Sequence, residues 1–461
     1  MDATYLFAKN FVNVHYEDLP RDVVEATKKE VLDLSGVAIA GSPQPGVREL
    51  MEIVTTWGGR EESSIFCSKQ KVPAPNAGQV NATMVHARDY DDVHETAVMH
   101  PGVVTIPTAL AAGELKGSLT GKEFITTVAL GVDMICRLGL ATRPGVSPIK
   151  TGWHFTTLYG YPTAALTAGR ILGLDEERLV NAFGIAYHQC SGNGQCVVDG
   201  ALTKRMGPGF SVRGGISAAL MAGKGITGAR NCLEGEMGLY KVYQHGEYDI
   251  HVLTDNLGKH FEGINVSIKP YPCCRGIHPS IDAALTVVTK HDIKPQDVRE
   301  ITISTGEANH SLLCTPFEQK VKPRNPVDAQ FSIPWGVATA IAKRRVTMED
   351  YTEAAIMNRD MLDLTSKIKA EVDSNLNKPQ GIEPARVRVV TRDGGVFSEQ
   401  IHHPLGSPER PMSFDDCVKK FKDCALYPEK KLSDDQIDRL VSLIVELEQV
   451  EDIREIIKLI T

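Results

Sequence analysis

No Cys-x-x-Cys pair occurs in this chain, although ten cysteines are scattered at positions 67, 136, 190, 196, 232, 273, 274, 314, 417 and 424. That scatter offers no iron–sulfur or zinc site of the usual spacing, and the adjacent Cys273 and Cys274 are poorly placed to bridge each other. Reduced thiols in a cytosolic protein are expected. There is no Lys/Arg-rich run, and the formal net charge of −8 argues against a nucleic-acid partner. An anionic substrate would need a local basic cluster inside this acidic protein. Long apolar runs are missing too. The most apolar stretch, Phe124 to Leu140, is interrupted by Thr126, Thr127, Asp133 and Arg137, so a buried core helix is expected and no membrane partner. The start, MDATYLFAKNF, has no basic segment followed by an apolar one, which predicts no signal peptide and a cytoplasmic protein. Internal repeats and low-complexity linkers are absent.

What is present describes a globular protein, with 42% hydrophobic and 23% charged residues. At 461 residues it is too long for one ordinary core. The first two-thirds reads as helical. Helices are predicted from Pro20 to about Ala40, Gly46 to Trp57, Pro75 to Ala87, His100 to Leu115, Tyr161 to Leu172, Asp175 to His188 and Phe210 to Ala222. Thr120-x-x-Glu123 is a capping-box pattern for the apolar helix already described. The pattern changes near Ile268. Val298–Ser304 alternates with period two, and Arg386–Val390 and Val396–Ile401 flank Asp393-Gly394-Gly395, a hairpin signal. Helices around His278–Thr289, Ala329–Ala342 and Thr347–Ile356 fall between these strands. The tail returns to helix, with Ser433-x-x-Gln436 as its cap and Ile437, Leu440, Val441, Ile444 and Leu447 as one apolar stripe. The expected fold class is mainly α: a large helical domain from both chain ends (1–267 and 402–461) with an inserted, smaller α+β lid domain (268–401).

Chemistry concentrates in HARDYDDVHETAVMHP, residues 86–101, which holds Asp89, Asp91, Asp92, His86, His94 and His100 between helix-forming segments. Exposed charge runs are usually Lys/Glu mixtures; a short Asp/His cluster between core-like segments is different. Histidine titrates near neutrality and aspartate fixes its tautomer, so the combination suits proton transfer, while a helix end capped by Asp is the plainer reading. Trp153-His154 stands at a helix entrance after a loop containing Arg143-Pro144-Gly145. Thr203-Lys204-Arg205 stands near another helix start, where main-chain N–H groups and the dipole favour an anion. Its following glycines match no P-loop or dinucleotide fingerprint. Lys269-Pro270-Tyr271-Pro272-Cys273-Cys274-Arg275 holds two cations on a stiff, proline-bearing segment at the domain junction.

Taken together, HARDYDD (86–92), HPGVVTIPTALAAGE (100–114), the His154 region, DGALTKRMGPG (199–209), GGISAALMAGKGITG (214–228) and KPYPCCRGIHPSIDAAL (269–285) resemble the MmgE/PrpD family. Its members include 2-methylcitrate dehydratase, cis-aconitate decarboxylase and iminodisuccinate epimerase. The resemblance covers most of the chain in order. It implies the two-domain layout above with the active site between the domains, a homodimer, and no metal or organic cofactor. It puts active-site positions on Asp89, His100, His154, Lys204 and Lys269. There are departures: the segment between Asp89 and His100 is one residue longer than in cis-aconitate decarboxylase, Val93 replaces a threonine, and Gly207 stands where several relatives have a histidine.

The reaction implied is that of a cofactor-independent lyase acting on a di- or tricarboxylate of the citrate/aconitate type through alpha-proton abstraction. Dehydration of the 2-methylcitrate kind is the first expectation; cis-aconitate decarboxylation and epimerisation are alternatives. His100 and His154 are the candidate base and acid, and Asp89 would orient a histidine or lysine. Lys204, Lys269 and Arg275 would bind carboxylate and stabilise the developing charge, with Arg205 and His94 completing the expected binding set. Two other classes compete: a metal-dependent hydrolase with ligands among His86, Asp89, Asp91, His94 and His100, and a non-catalytic binding protein.

Overall fold

The computed structural model describes residues 2–142, 151–428 and 431–461. Helix accounts for 58% of the chain and strand for 9%, which makes the protein mainly α. The Arg143-Pro144-Gly145 loop lies outside the described residues. The chain divides into two units, Met1–Ile268 with Ser413–Thr461, and Lys269–Met412.

Three helices of the first unit position the residues of interest: Ala74–His86, Phe155–Ile171 and Thr203–Gly223. Small residues let them touch almost backbone to backbone. A Cβ on Gly215 would sit 2.4 Å from the Ala164 Cβ, and one on Gly160 would sit 2.5 Å from the Ser211 Oγ. On the opposite side, a Cβ on Gly209 would fall 2.6 Å from the Gln79 carbonyl oxygen and from the Thr83 Oγ1. The pairs 160/211 and 164/215 make Phe155–Ile171 and Thr203–Gly223 run parallel. The start of each helix therefore meets the C-terminal end of Ala74–His86.

The helix anticipated from Phe210 begins seven residues earlier, at Thr203, and contains Pro208; Phe155–Ile171 likewise contains Pro162. Proline in a helix removes one hydrogen bond, and here tertiary packing against two neighbours outweighs that loss. Thr120 and Glu123 form the expected capping box on Gly121–Leu140, a motif that contributes about 1 kcal/mol. The tail folds back within this unit. Phe421 lies against Gly36 of helix Arg21–Gly41, and Lys420 pairs with Asp33 at 2.7 Å. Ile437, Leu440, Leu443 and Ile444 are the buried side of helix Asp434–Val445. A small antiparallel hairpin of β1 (Ser63–Ser64) and β2 (Lys71–Val72) also belongs to this unit.

The second unit is built on a four-stranded sheet of β3 (Val298–Thr305), β4 (Ile368–Val372), β5 (Ala385–Thr391) and β6 (Val396–Ile401), in the order β4-β3-β5-β6. β5 and β6 form the hairpin signalled by Asp393-Gly394, whose glycine takes φ 93°. β4, which sequence periodicity did not reveal, pairs parallel with β3, Ile301 opposite Ile368. Helices His278–Lys290 and Ile333–Lys343 supply Ile281, Val287, Trp335 and Ile341 to the core against Ile301, Ile303, Val387 and Val389. The segment expected to be helix over Thr347–Ile356 is a 3-10 turn, Met348–Tyr351, followed by a single helical turn, Glu353–Ile356.

Candidate active site

His86 is the last residue of its helix, and the chain then reverses through Asp89, which adopts φ 51°. Aspartate tolerates this left-handed conformation better than most residues. The reversal returns Asp91 to the helix end. Asp91 Oδ2 lies 2.6 Å from His86 Nδ1 and 3.2 Å from His100 Nδ1. His100 Nδ1 also lies 2.5 Å from the main-chain carbonyl oxygen of Asp92. A carbonyl only accepts, so His100 Nδ1 carries a proton, and on a neutral ring Nε2 holds the lone pair. The His86 and His100 ring centroids are 4.8 Å apart, and that of His154 is 6.0 Å from His86.

The electrostatics sort these groups. Burial raises the Asp91 carboxyl, but His100 and His86 outweigh it and hold Asp91 well below the usual carboxylate range. Asp91 is thus ionised and accepts from both imidazoles. Burial lowers His86 to about 4, helped by the Lys204 charge and opposed by Asp91. His86 is therefore neutral near pH 7, with its proton on Nδ1. Its Nε2 is buried and has no hydrogen-bond partner among the described residues. His154 is pushed well below its ordinary value, first by burial and then by His86, Lys204 and His100. Its Nδ1 meets Thr157 Oγ1 at 2.8 Å. Lys204, second in its helix, forms a buried ion pair with Asp89.

A second layer of acid lies behind the first. Asp92 Oδ2 accepts from the Gly102 N–H at 2.8 Å, at the start of helix Gly102–Lys116. Glu30 faces the same helix start; a Cβ on Gly102 would sit 2.6 Å from Glu30 Oε1. Glu30 Oε1 and Asp92 Oδ1 both lack a donor among the described residues. Burial, then mutual repulsion, holds Glu30 well above the ordinary carboxyl range, and burial followed by Asp91 raises Asp92. A single shared proton satisfies the pair. Burial also raises Asp33 to about 6, against the pull of Lys420.

Of the residues singled out from sequence, Asp89, His100, His154 and Lys204 come together in the first unit, with His86 and Asp91 as their neighbours. His94 is engaged elsewhere. Its Nδ1 accepts from the Ala97 N–H at 3.1 Å, which leaves the proton on Nε2, 3.4 Å from Glu262 Oε2. Arg205 donates to the Pro45 carbonyl oxygen at 2.9 Å. Lys269 and Arg275 belong to the second unit, where Arg275 donates to His278 Nδ1 at 3.0 Å and to the Leu405 carbonyl oxygen at 2.8 Å. His86 and Asp91 stand in the Asp/His cluster whose composition suits proton transfer, but sequence alone gives them an individual role only as metal ligands. Their five-residue spacing across a helix end was the available signal.

His86, Asp91 and His100 have ligating atoms within 4.8 Å of one another, the one such group among the described residues. Ligand atoms arranged tetrahedrally around zinc lie about 3.3 Å apart, given bonds of roughly 2.0 Å. The 2.6 Å separation of His86 Nδ1 and Asp91 Oδ2 is instead that of a charge-assisted hydrogen bond. The trio is arranged to hold protons.

Residues 6–251 match the MmgE/PrpD N-terminal domain and residues 271–446 the MmgE/PrpD C-terminal domain. The second match runs past Met412 into the helical tail. The chain is similar to the cis-aconitate decarboxylase of Aspergillus terreus, 23% identical over 467 residues that cover 97% of this chain and 94% of that protein. It is also similar to the cis-aconitate decarboxylases of Homo sapiens, 23% identical with 93% and 88% covered, and of Mus musculus, 22% identical with 98% and 91% covered.

Proposed function

The chain belongs to the MmgE/PrpD family, and we propose that it is a lyase that releases carbon dioxide or water from a di- or tricarboxylate of the citrate/aconitate type, using side chains to move the protons. One observation carries this reading: Asp91 holds two imidazoles on one carboxylate oxygen, with His154 and the Lys204 ammonium beside them. Either release leaves an electron pair on a carbon next to a carboxylate. In decarboxylation the C–C bond breaks, carbon dioxide departs and an imidazole returns a proton to the carbon. In dehydration an imidazole takes the alpha proton and a second one protonates the departing hydroxyl.

Both paths need positive charge where the anion develops. Lys204 supplies it, and the helix starts at Thr203 and Phe155 add their dipoles on the same side. The neutral histidines fit the same task, because a neutral imidazole is a base at Nε2 or an acid there, according to its tautomer. The relatives named as cis-aconitate decarboxylases make decarboxylation the first activity to assay, ahead of the dehydration favoured by sequence reading; dehydration stays in the panel because it shares the binding cations. A homodimer is part of the same proposal and is measured by light scattering.

The test is proton NMR in deuterated water with cis-aconitate, citrate and 2-methylcitrate. The expected result is product formation, or deuterium entering next to a carboxylate, that survives dialysis against EDTA and is lost in Lys204→Ala and His154→Ala. Folded protein that neither turns over nor exchanges any of the three would overturn the proposal.

A further inference from the structure

Thr157 sits in a slot made by two glycines. Its Oγ1 faces Gly207, where an added Cβ would come within 2.4 Å of that oxygen, and its Cβ and Cγ2 face Gly192, where an added Cβ would come within 2.6 Å of both. The slot is held from three sides. His154 N–H donates to the Gly192 carbonyl oxygen at 3.2 Å, and Gly194 N–H donates to the Gly152 carbonyl oxygen at 2.7 Å, so segments 152–154 and 192–194 run side by side. Thr157 N–H donates to the His154 carbonyl oxygen at 3.0 Å, in the first turn of helix Phe155–Ile171. Gly207 belongs to the helix that carries Lys204. The only hydrogen-bond partner of the His154 ring among the described residues is the Thr157 hydroxyl, at 2.8 Å.

We propose that Thr157, seated between Gly192 and Gly207, is the positioning residue of His154, and that its hydroxyl lets this imidazole change tautomer without moving. The inference rests on the lyase reading above. Its physical content is a contrast with His100. His100 Nδ1 faces a carbonyl oxygen and a carboxylate, which accept only and therefore fix the proton on Nδ1. A hydroxyl both donates and accepts by rotating about its C–O bond. When Thr157 accepts, His154 Nδ1 carries the proton and Nε2 is a base. When Thr157 donates, Nε2 carries the proton and is an acid. A histidine that cycles between imidazolium and neutral ring is served by an acceptor at Nδ1; a ring that is neutral both when it acts as a base at Nε2 and when it acts as an acid there needs a partner of the second kind. No group is oxidised or reduced: as acid, Nε2–H passes its proton to the substrate carbon and leaves an imidazolate whose Nδ1 accepts from the Thr157 hydroxyl, and a solvent proton then returns to the ring, at Nε2 to repeat the step or at Nδ1 to make Nε2 the base.

The slot also explains why position 207 is glycine here. With a threonine at 157, any side chain at 207 meets the hydroxyl that holds His154, so a histidine at that position and this arrangement of Thr157 exclude each other.

Thr157→Val keeps the shape and removes the hydroxyl; Thr157→Ser keeps the hydroxyl. The experiment measures kcat and KM on cis-aconitate across pH, together with nitrogen-15 NMR of the histidine rings in protein without substrate. Thr157→Val is expected to lower kcat on the order of tenfold, the worth of one neutral hydrogen bond, with KM within about twofold, and to shift the His154 ring signals toward a single tautomer. Thr157→Ser is expected to keep kcat within about threefold of the native protein, with native ring signals. Gly207→Ala is expected to reproduce the Thr157→Val spectrum by displacing the hydroxyl. Native ring signals and native kcat in Thr157→Val would overturn the proposal, as would equal losses in the serine and valine variants with melting temperatures unchanged. If the native protein turns over no polycarboxylate, the lyase reading fails while the NMR arm still decides whether Thr157 sets the His154 tautomer.

Discussion

Asp91 Oδ2 stands 2.6 Å from the Nδ1 atom of His86 and 3.2 Å from that of His100, so a single carboxylate oxygen orients two imidazoles at once. Burial alone would protonate this acid; the two rings keep it ionised. Asp91→Asn leaves a neutral amide oxygen as the shared acceptor and removes the negative charge that strengthens both N–H bonds. kcat is expected to fall on the order of 100-fold, in line with the worth of positioned acid–base groups. Steady-state kinetics on cis-aconitate and circular dichroism of the same samples check this; a variant within about threefold of native activity would contradict it.

Lys204 and Asp89 form a pair whose side chains are both under one-tenth exposed. Removing one partner of a buried pair costs more than removing both. Lys204→Ala is therefore expected to lose about 3 kcal/mol of stability along with activity. Adding Asp89→Asn should recover most of the stability and none of the turnover. Urea titrations of the single and double variants separate the two effects, because a purely structural lysine would regain activity together with stability.

His86 gives the fold a pH dependence of definite sign. Its folded value is lowered to about 4 from an ordinary 6.5, so below 6.5 the unfolded chain binds the proton more readily. The contribution is complete above pH 6.5 and is lost as pH falls from there to about 4, roughly 3 kcal/mol in all. Asp33, raised to about 6 by burial, works in the opposite direction over part of the same range. A comparison with His86→Asn cancels that background. The native protein should lose more stability than the variant between pH 7 and pH 4.5; parallel curves would refute the assignment.

Glu30 and Asp92 are expected to behave as an acid pair with one proton between them. Glu30→Gln keeps a donor for Asp92 Oδ1 and should leave stability at pH 7 nearly unchanged. Glu30→Ala leaves that oxygen without a donor and should cost about 2 kcal/mol. Because Glu30 is held well above the usual carboxyl range, its contribution is complete at low pH and is lost as pH rises. Glu30→Gln should therefore flatten the alkaline side of the stability curve, read by urea titration from pH 6 to pH 10.

The sequence made some of this legible and hid the rest for physical reasons. Local signals read well: the capping boxes at Thr120 and Ser433, the Asp393-Gly394 turn, and the Asp/His cluster after a helix. Each is decided within a few residues. The start of helix Thr203–Gly223 is hidden in the sequence because Gly207-Pro208-Gly209 looks like a break, and only close packing against Thr157 and Thr83 gives those residues a helical reason. Glu30, Asp33 and Lys420 carried no visible sign of a role. Glu30 reads as one more charge on an amphipathic helix until the fold sets it beside Asp92. Thr157 was equally silent, since a threonine in a first helical turn is ordinary. His94 shares the composition of the cluster but is engaged by Ala97 and Glu262, and the helical Arg205 reaches away to the Pro45 carbonyl oxygen.

Lys420 reaches back across almost the whole chain to Asp33, at 2.7 Å, and to the Tyr90 carbonyl oxygen, at 2.8 Å. During synthesis, the acids behind the imidazoles therefore wait for their cation until the far end of the polypeptide has left the ribosome. Until then nothing offsets the cost of burying the Asp33 carboxyl as an anion, and the nascent chain has reason to stay unfinished around it. Turnover should appear only after residue 420 has emerged, however early the individual helices form.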